Sequence, residues 1–337
     1  MRSVAFIVNS ISGGGAEKSA FEIVSQLHSK GFQAHLIAIN RQNVRSDFPF
    51  VRELNRTWGS GILETASAIR HFRRLLTDLK IEVLVLNCDL PELFGLFTPK
   101  RFRLILVEHA NPPWSGRTLV GRVTRFFLNR RNARYVIVSP HLKIAFLPKV
   151  STILIPNPVV KPVANVDSKF KSPIRRLVFV GRLSRLFKNP MKVVYLAHEL
   201  DLPCLFIGDG ELLEELVNQA RQMKVDATFS GFVADPWKLC KSGDLLVIPS
   251  SAEGDGLVLV EAVLRGIPFL ATNIPDLNKY GFPQRNYCKD EDEFIIRMRE
   301  TSRDLSTLII PEEQVEKIYK DRDISTITQK WIDLLSN

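Results

Sequence analysis

Residues 249–272 read PSSAEGDGLVLVEAVLRGIPFLAT, and this stretch decides the fold. It begins as the end of the apolar strand LLVIPS (245–250), crosses an acidic, glycine-rich turn and becomes an apolar helix near Leu257. The helix stops at the sequence Gly-Ile-Pro, and PFLAT (268–272) reads as a second strand. A strand, a helix and another strand in this order indicate a βαβ unit of a parallel sheet.

The same alternation of short apolar strands and amphipathic helices extends outward over the whole chain. In the first half it predicts strands at 4–9, 34–40, 83–87, 104–109 and 135–139 and helices at 16–30 and about 62–79. In the second half it predicts strands at 176–181, 204–210, 227–232, 245–250 and 268–272, with helices between them. The predicted fold class is α/β, with two Rossmann-like, doubly wound parallel-sheet domains that face each other across a cleft.

A proline-rich segment separates the two series of strands. NPVVKPVANVDSKFKSP (157–173) contains three prolines and lacks helical periodicity, which is the composition of a linker. A chain of 337 residues with 45% hydrophobic residues also exceeds the usual single core. We therefore predict an N-terminal domain over 1–157 and a C-terminal domain over 173–317.

Cysteines and apolar runs restrict the class of protein and its location. The four cysteines, Cys88, Cys204, Cys240 and Cys288, form no CxxC pair, so neither a zinc site nor a disulfide framework is predicted. The N-terminal RSVAFIVNS reads as a first strand rather than a signal sequence, and no apolar run approaches the roughly 18 residues that span a bilayer. We expect a cytoplasmic protein with peripheral contact at the inner face of the cytoplasmic membrane.

The net charge of +10 is concentrated in the first part of the chain. Residues 1–160 contain 22 Lys and Arg against 10 Asp and Glu, a net +12, whereas residues 161–337 contain 24 against 26, a net −2. The asymmetry indicates either a solvated basic surface or an acidic partner: a phosphate ester, an anionic lipid surface or a nucleic acid. The basic clusters contain few aromatic residues and no nucleic-acid motif, so no nucleic-acid partner is expected.

Glycines and charged side chains follow the predicted strands at the sheet edge where ligands bind in open α/β folds. NSISGGGAEKS (9–19) follows the first strand, and its glycines let the backbone approach an anion at a helix start. VGRLSRLFKNP (180–190) carries Arg182 and Lys188, two cations suited to a pyrophosphate. His109 ends the strand LILVEH, where an imidazole can hydrogen-bond a sugar hydroxyl or a phosphate oxygen.

Two glutamates flank the turn that follows LLVIPS. Glu253 lies in the loop with Gly256, and Glu261 lies one turn into the helix, facing the same cleft. The two carboxylates are therefore expected to contact different parts of one ligand. The backbone amides of Leu257 and Val258, at the helix start, can hold phosphate oxygens between them.

In this order and spacing the motifs resemble the retaining glycosyltransferases of family 4, glycosyl transferases group 1, which have the GT-B fold of two Rossmann domains. Glu253 and Glu261 match the two glutamates of the family's E-x7-E signature. GGGAE, GRLSRLFKNP, GDGELLEEL, SGFVADPW and EAVLRGIPFLAT resemble further family segments. The similarity covers nearly all of the second domain and, more thinly, the first. It also implies that a C-terminal helix at about 318–337 returns to the first domain.

The resemblance implies a role for each matching residue. Glu261 is expected to bind the nucleotide ribose and Glu253 the hydroxyls of the donor sugar, while His109 lies beside the anomeric centre. The implied catalytic residues are His109, Arg182, Lys188 and Glu253. The implied donor-binding residues are Gly14, Gly15, Gly181, Arg182, Lys188, Gly256, Leu257, Val258 and Glu261. The candidates for contact with the acceptor are Glu17, Glu108 and Asp255.

The implied reaction moves a sugar from a nucleotide-diphosphate donor, a UDP-sugar, to a glycan acceptor that is lipid-linked or belongs to an anionic surface polysaccharide or lipopolysaccharide. The departing diphosphate gains negative charge, so cations and amides at the phosphates stabilise the transition state. No cofactor and no metal are therefore expected. Asp321-Arg322-Asp323 has the letters of a DxD motif but reads as a helix cap. The family implies retention through attack on the front face of the sugar, without a protein nucleophile.

Two segments depart from the family pattern. Asp255 stands where an aromatic residue is usual, which places a third carboxylate near the sugar. NIPDLNKYGFP (273–283) replaces a Gly-Gly turn followed by Glu. Both departures affect the expected contacts with the donor.

Other functions and one structural question stay open. A GT-B nucleotide-sugar epimerase requires further carboxylates near the sugar, and a non-enzymatic anion or nucleic-acid binder has no need of paired glutamates. RHFRRLL (70–76) and RTLVGRVTRFFLNRRNARY (117–135) space arginines at helical intervals among apolar residues. Their apolar sides are either part of the core or a surface that faces an anionic membrane.

Overall fold

The computed structural model of the chain describes residues 3–11, 14–41, 47–57, 59–109, 114, 117–144, 146–147, 149–160, 162 and 172–336. The chain divides into two compact units, Met1–Pro158 with Arg322–Asn337, and Val159–Asp321. The expected domains, 1–157 and 173–317, differ from this division because the linker is grouped with the second unit. The C-terminal return begins at Arg322, a few residues after the expected position near 318.

The first unit is built on a seven-stranded parallel sheet. Its strands are β1 (Val4–Val8), β2 (Ala34–Asn40), β3 (Val51–Arg56), β4 (Val83–Asn87), β5 (Arg103–Glu108), β6 (Arg134–Ile137) and β7 (Thr152–Leu154). Their order across the sheet is β3-β2-β1-β4-β5-β6-β7. The helices are α1 (Gly15–Ser29), α2 (Ile62–Asp78), α3 (Asp89–Leu96), α4 (Thr118–Asn129) and a C-terminal helix, Ile324–Ser336.

Buried apolar strands form the centre of this unit. All residues of β1 and β4 are buried, as expected for strands covered by helices on both faces. The C-terminal helix closes the core through Trp331, whose ring meets Phe6 edge-on with 5.1 Å between the ring centroids. The end of the chain therefore contributes to the core of the first unit.

The second unit repeats the plan with six strands. They are β8 (Arg176–Val180), β9 (Cys204–Ile207), β10 (Ala227–Phe229), β11 (Asp244–Ile248), β12 (Phe269–Thr272) and β13 (Tyr287–Cys288), in the order β10-β9-β8-β11-β12-β13. The helices are α5 (Met191–Glu199), α6 (Leu213–Gln222), α7 (Leu257–Val263), α8 (Pro275–Asn278), α9 (Glu291–Thr301) and α10 (Glu312–Arg322). The two sheets confirm the prediction of two Rossmann-like α/β domains.

Each sheet has a point where the winding of the chain reverses. It lies between β1 and β4 in the first unit and between β8 and β11 in the second, and both pairs are parallel neighbours. Ligands of open α/β sheets bind beyond the carboxyl ends of the strands at such a reversal. The loops that follow these four strands are therefore the expected location of a ligand site.

The helices formed by the described residues include none that combines the length and the apolar character required to cross a bilayer. The longest of them, α2, has 17 residues and carries three arginines, Arg70, Arg73 and Arg74. Its buried face consists of Ala68, Phe72 and Leu76, so in this helix the apolar side is part of the core.

Candidate functional site

Lys188 and Glu253 form an ion pair at the reversal point of the second sheet. Lys188 follows β8 and Glu253 follows β11; the lysine Nζ lies 2.7 Å from Oε1 and 2.9 Å from Oε2 of the glutamate. Ser250 Oγ donates to the same Oε1 at 2.7 Å. The lysine side chain is 27% exposed and the glutamate 10% exposed, so solvent reaches the pair mainly at the lysine. The structure thus brings together two of the predicted catalytic residues.

The backbone around this pair is fixed by contacts between the two loops. Phe187 and Asn189, on either side of Lys188, have positive φ angles of 69° and 48°. The Asn189 side chain donates to the carbonyl of Pro249 at 3.0 Å, and the Ser251 amide donates to the carbonyl of Phe187 at 2.7 Å. An asparagine tolerates the left-handed region because its short amide can hydrogen-bond locally. These bonds hold the lysine in position next to the glutamate.

Glu261, the second glutamate of the motif, lies on α7 and is held by a tryptophan. Trp237 Nε1 donates to Glu261 Oε2 at 2.9 Å. Arg265 donates to the backbone carbonyl of Glu261 at 3.0 Å and stacks over the Trp237 ring at 5.5 Å. Burial lowers the pKa of Arg265 from its ordinary value. The carboxylate orientation is therefore set by the indole N–H of Trp237, which lies in the segment SGFVADPW but had no predicted role.

Asp255 has a cationic partner within the second unit. Lys279 Nζ lies 3.1 Å from Asp255 Oδ1, and both side chains are almost fully buried. The hydroxyl of Tyr280 donates to the Asp255 carbonyl oxygen and lies 3.3 Å from its Oδ1. Both partners come from the segment 273–283, which departs from the family pattern. The expected contact of Asp255 with the sugar or acceptor stays a prediction.

Gly256 connects this buried pair to α7. Its φ of 69° is in the left-handed region, and a Cβ there would meet Leu277 Cδ2 at 2.9 Å. Leu257 and Val258 begin α7 directly after it. The left-handed φ of Gly256 therefore favours a glycine between Glu253 and Glu261.

We expect Lys279→Met to lower the free energy of unfolding by about 2 kcal/mol, because a buried carboxylate would lose its cation. The hydroxyl of Tyr280 continues to solvate Asp255, which keeps the loss moderate. Urea denaturation of the variant measures the effect. The control is the double variant Lys279→Met with Asp255→Asn, which removes both charges; a double variant no more stable than Lys279→Met would contradict the assignment.

Two glycine turns bring the loops after β8 and β9 into contact. A Cβ on Gly208 would lie 1.9 Å from the carbonyl oxygen of Gly181, and one on Gly210 would lie 2.3 Å from that of Leu183. Arg182, between them, is exposed, and none of the described residues accepts a hydrogen bond from its guanidinium. Arg182 and Lys188 were predicted to bind the same diphosphate. These contacts do not test that prediction.

In the first unit, the predicted residues after β1 form a helix cap. Gly14 and Gly15 begin α1, and the amide of Gly14 donates to Glu17 Oε2 at 3.0 Å. Ser12 and Gly13 lie outside the described residues. A glutamate at the third helical position that bonds back to the cap is a common device for fixing a helix start. Glu17 therefore has a role in the helix, and its contact with the acceptor stays a prediction.

His109 is oriented by an asparagine at the end of the neighbouring strand. Its Nε2 lies 3.0 Å from Asn87 Oδ1, and Asn87 Nδ2 donates to the carbonyl of Ile7 at 3.2 Å. Because the Ile7 carbonyl requires the amide nitrogen, the Asn87 oxygen faces the imidazole and assigns the proton to Nε2. Asn87 was not predicted, although its position as the polar end of a buried strand is a usable signal.

Glu108 belongs to a buried charge network. Arg125 on α4 forms two bonds with Glu92, at 2.9 Å from Nε and 2.7 Å from Nη2, and its Nη1 lies 2.7 Å from Glu108. Trp114 Nε1 also donates to Glu92, at 3.1 Å. One cation serves two carboxylates, and burial raises the pKa of Glu108 to about 8 against the attraction of Arg125. This placement gives Glu108 a structural partner, and its contact with the acceptor stays a prediction.

The described part of the chain contains no group of three or more His, Cys, Asp or Glu side chains arranged to hold a metal ion. In the DxD-like sequence Asp321-Arg322-Asp323, the Asp323 side chain accepts a hydrogen bond from the amide of Ser325 at 3.0 Å and caps the C-terminal helix. Arg322 is buried and donates to the carbonyl of Asn157 at 3.3 Å.

The two Rossmann-like parallel sheets define the class of fold as GT-B, and solved structures match this fold. The ion pair of motif residues lies at the reversal point of the second sheet. HepE of Anabaena in complex with UDP and glucose superposes with a TM-score of 0.77, at 17% identity over 100% of both chains. At this identity the likeness shows the fold.

Sequence comparisons add a family for part of the second unit. Residues 164–280 match the family described as glycosyl transferases group 1. An uncharacterized glycosyltransferase of Haemophilus influenzae is 24% identical over 80% of this chain and 79% of its own length. An α-1,4-N-acetyl-D-galactosaminyltransferase of Campylobacter jejuni, which acts on an undecaprenol-linked glycan by its name, is 22% identical over 100% and 99%. The chain therefore carries a glycosyl transferases group 1 domain within a GT-B fold.

Proposed function

We propose that the protein is a retaining glycosyltransferase of family 4 that transfers a sugar from a UDP-sugar to a glycan acceptor, lipid-linked or part of an anionic surface polysaccharide or lipopolysaccharide. The group 1 domain supports the transferase class. The UDP in the HepE complex and the undecaprenol-linked glycan in the name of the Campylobacter relative support the donor and acceptor classes. The same relatives give no support to the epimerase alternative.

The observation that carries the proposal is the Lys188–Glu253 ion pair at the reversal point between β8 and β11. Cleavage of the bond between sugar and phosphate leaves negative charge on the diphosphate. A lysine already fixed by its loop stabilises that charge without reorganisation, and Arg182 is exposed close by in sequence. Glu253, relieved of part of its bond to Lys188, accepts hydrogen bonds from sugar hydroxyls. These side chains supply the neutralising charge, so the proposed reaction requires no metal.

We assign two further predicted residues to defined parts of the donor. Glu261, oriented by Trp237, accepts hydrogen bonds from the ribose hydroxyls. His109, whose Nε2 donates to Asn87 Oδ1, is assigned to the sugar beside the anomeric centre. Retention follows from attack on the front face, with the departing phosphate oxygen accepting the proton of the acceptor hydroxyl. No protein nucleophile takes part.

Glu261→Ala is expected to weaken UDP binding by on the order of tenfold, because the ribose hydroxyls lose a charged acceptor. Isothermal titration with UDP measures the affinity. Trp237→Phe is the matched variant: it keeps the carboxylate but removes the N–H that orients it, so we expect a smaller loss. If UDP bound to Glu261→Ala as tightly as to the parent, the ribose assignment would be wrong.

A thermal-shift panel with UDP, GDP, ADP and TDP tests the donor class, and UDP is expected to raise the melting temperature most. The full chain is then incubated with UDP-sugars while UDP release is followed. Release of UDP supports the transferase. Conversion of one UDP-sugar into another without release would support the epimerase. Salt-dependent binding of single-stranded DNA together with no response to nucleotides would support the binder and overturn the proposal.

A further inference from the structure

Helix α4 buries an arginine against the protein and exposes five of its large apolar residues to solvent. Its buried residues are Gly121, Thr124, Arg125 and Leu128. Its exposed apolar residues are Leu119, Val120, Val123, Phe126 and Phe127, with exposed fractions between 45% and 74%. An ordinary surface helix has the opposite arrangement. The sequence left open whether the apolar side of this helix is core, and the structure places it on the surface.

The rotation of α4 about its axis is fixed by its inner face. Arg125 is bound to two buried carboxylates, as described above, and cannot leave them without stranding their charges. Gly121 lies against the Trp114 ring so closely that a Cβ would come within 2.5 Å of Trp114 Cγ. The helix therefore cannot turn its apolar face inward, and the exposure of that face is a built-in property.

The exposed face, which we call the α4 face, combines apolar and basic groups. Leu119, Val123 and Phe126 are spaced by four and three residues and so lie in one stripe, with Arg130 next in line at its end. The Arg130 guanidinium lies 4.5 Å above the Phe126 ring. Phe126 and Phe127 pack edge-on, with 5.4 Å between their centroids. Arg122 flanks the stripe and is exposed.

The sequence around the α4 face carries charge of one sign. From His109 to Val166 there is no Asp or Glu, and besides Arg125, which is buried against Glu92 and Glu108, the segment contains eight Lys and Arg residues: Arg117, Arg122, Arg130, Arg131, Arg134, Lys143, Lys149 and Lys161. A two-fold contact with a second copy would bring two such surfaces together, and like charges would repel. An anionic bilayer satisfies both the apolar stripe and the arginines.

We propose that the α4 face docks the protein on an anionic membrane, with the helix lying in the plane of the interface. The 12 residues of α4 extend about 18 Å, well short of the roughly 30 Å of a hydrocarbon core, so the helix enters the surface layer only. Leu119, Val123 and Phe126 insert among the acyl chains, and Arg122 and Arg130 meet lipid phosphates. Docking of this kind does not depend on the proposed transfer reaction.

Co-sedimentation of the full chain with vesicles tests the proposal. One set contains phosphatidylcholine alone and the other equal amounts of phosphatidylcholine and phosphatidylglycerol. We expect binding to the anionic set only. The double variants Phe126→Ser with Phe127→Ser, and Arg122→Gln with Arg130→Gln, are each expected to weaken that binding by on the order of tenfold. If the phenylalanine double variant folds poorly, the arginine double variant still tests the proposal.

The matched controls lie on α9 and after it, in the second unit. Ile296→Ser removes a similarly exposed apolar side chain, and Arg299→Gln with Arg303→Gln removes two exposed arginines. Both controls should bind vesicles like the parent. Equal binding to the two vesicle sets, or parent-like binding by the α4 variants, overturns the proposal. So does a parent dimer in analytical ultracentrifugation that the phenylalanine pair dissociates, which would assign the face to a second copy.

Discussion

Replacing Lys188 by alanine is expected to lower the turnover of sugar transfer by on the order of 100-fold, because a fixed cation at the departing diphosphate is lost. The effect should fall on kcat rather than on the KM for the donor, since negative charge grows on the diphosphate as the bond breaks. Initial rates of UDP release at varied donor concentration separate the two constants. The prediction rests on the loop contacts that hold Lys188 against Glu253 before any donor is present.

Lys192→Ala is the control for this experiment. Lys192 lies on α5, four residues further on, and its Nζ is 3.2 Å from the exposed Glu291, so its removal should leave turnover unchanged. Thermal unfolding of both variants detects any loss of folding caused by leaving Glu253 without its cation. Activity of Lys188→Ala within twofold of the parent would contradict the assignment of the diphosphate.

Glu253→Gln tests the other member of the ion pair. We expect a loss of transfer comparable to that of Lys188→Ala but with UDP affinity retained, because Glu253 is assigned to the sugar and not to the nucleotide. Isothermal titration with UDP and the rate of UDP release measure the two effects. Weakened UDP binding together with normal transfer would mean that the roles of Glu253 and Glu261 are interchanged.

The sequence predicted strands well where burial is complete. β2 and β4 have the predicted bounds, and β1 differs by one residue, because runs such as VLVLN have few alternatives to a buried strand. β3 was missed because VRELNR is mostly polar and half-buried. The strand predicted at 204–210 is longer than β9 (Cys204–Ile207), because residues 208–210 form a turn that packs on the loop of Gly181.

The positions of the motif residues in the fold were predictable, but their contacts were not. Spacing predicts that Glu253 and Lys188 follow strand ends and that Glu261 lies on the next helix, while their roles stay predictions. Trp237 and Lys279, which hold Glu261 and Asp255, are each 24 residues away from the carboxylate they contact. Contacts over such separations depend on how the strands assemble, and a pattern with a period of two to four residues carries no record of them.

The orientation of α4 also depends on contacts with residues that are distant in the sequence. Its apolar and basic residues alternate in a way that fits either a core-facing or a surface-facing apolar side. The orientation of α4 is fixed by Glu92, which lies 33 residues before Arg125, and by Glu108 at the end of β5. Two buried carboxylates require a cation, and α4 supplies it by turning Arg125 inward and its phenylalanines outward.

Arg125→Met is accordingly expected to destabilise the protein by about 3–5 kcal/mol, because Glu92 and Glu108 would both remain buried without a cation. In the parent, burial raises the pKa of Glu108 from 4.5 to about 8, so between these values Glu108 holds a proton in the folded state that it has released in the unfolded chain. The contribution of Glu108 to stability is therefore expected to fall as the pH rises through this window.

In Arg125→Met we expect the pKa of the Glu92 and Glu108 carboxyls to rise further, because the attraction of the arginine is gone. The loss of free energy of unfolding relative to the parent should therefore grow with pH. Urea denaturation near pH 4.5 and near pH 8 measures it. Arg122→Met, an exposed arginine on the same helix, is the control and should unfold like the parent at both values. A deficit that shrank as the pH rose would mean that the carboxylates reach solvent once Arg125 is removed. The network would then not be what holds the apolar face of α4 outward.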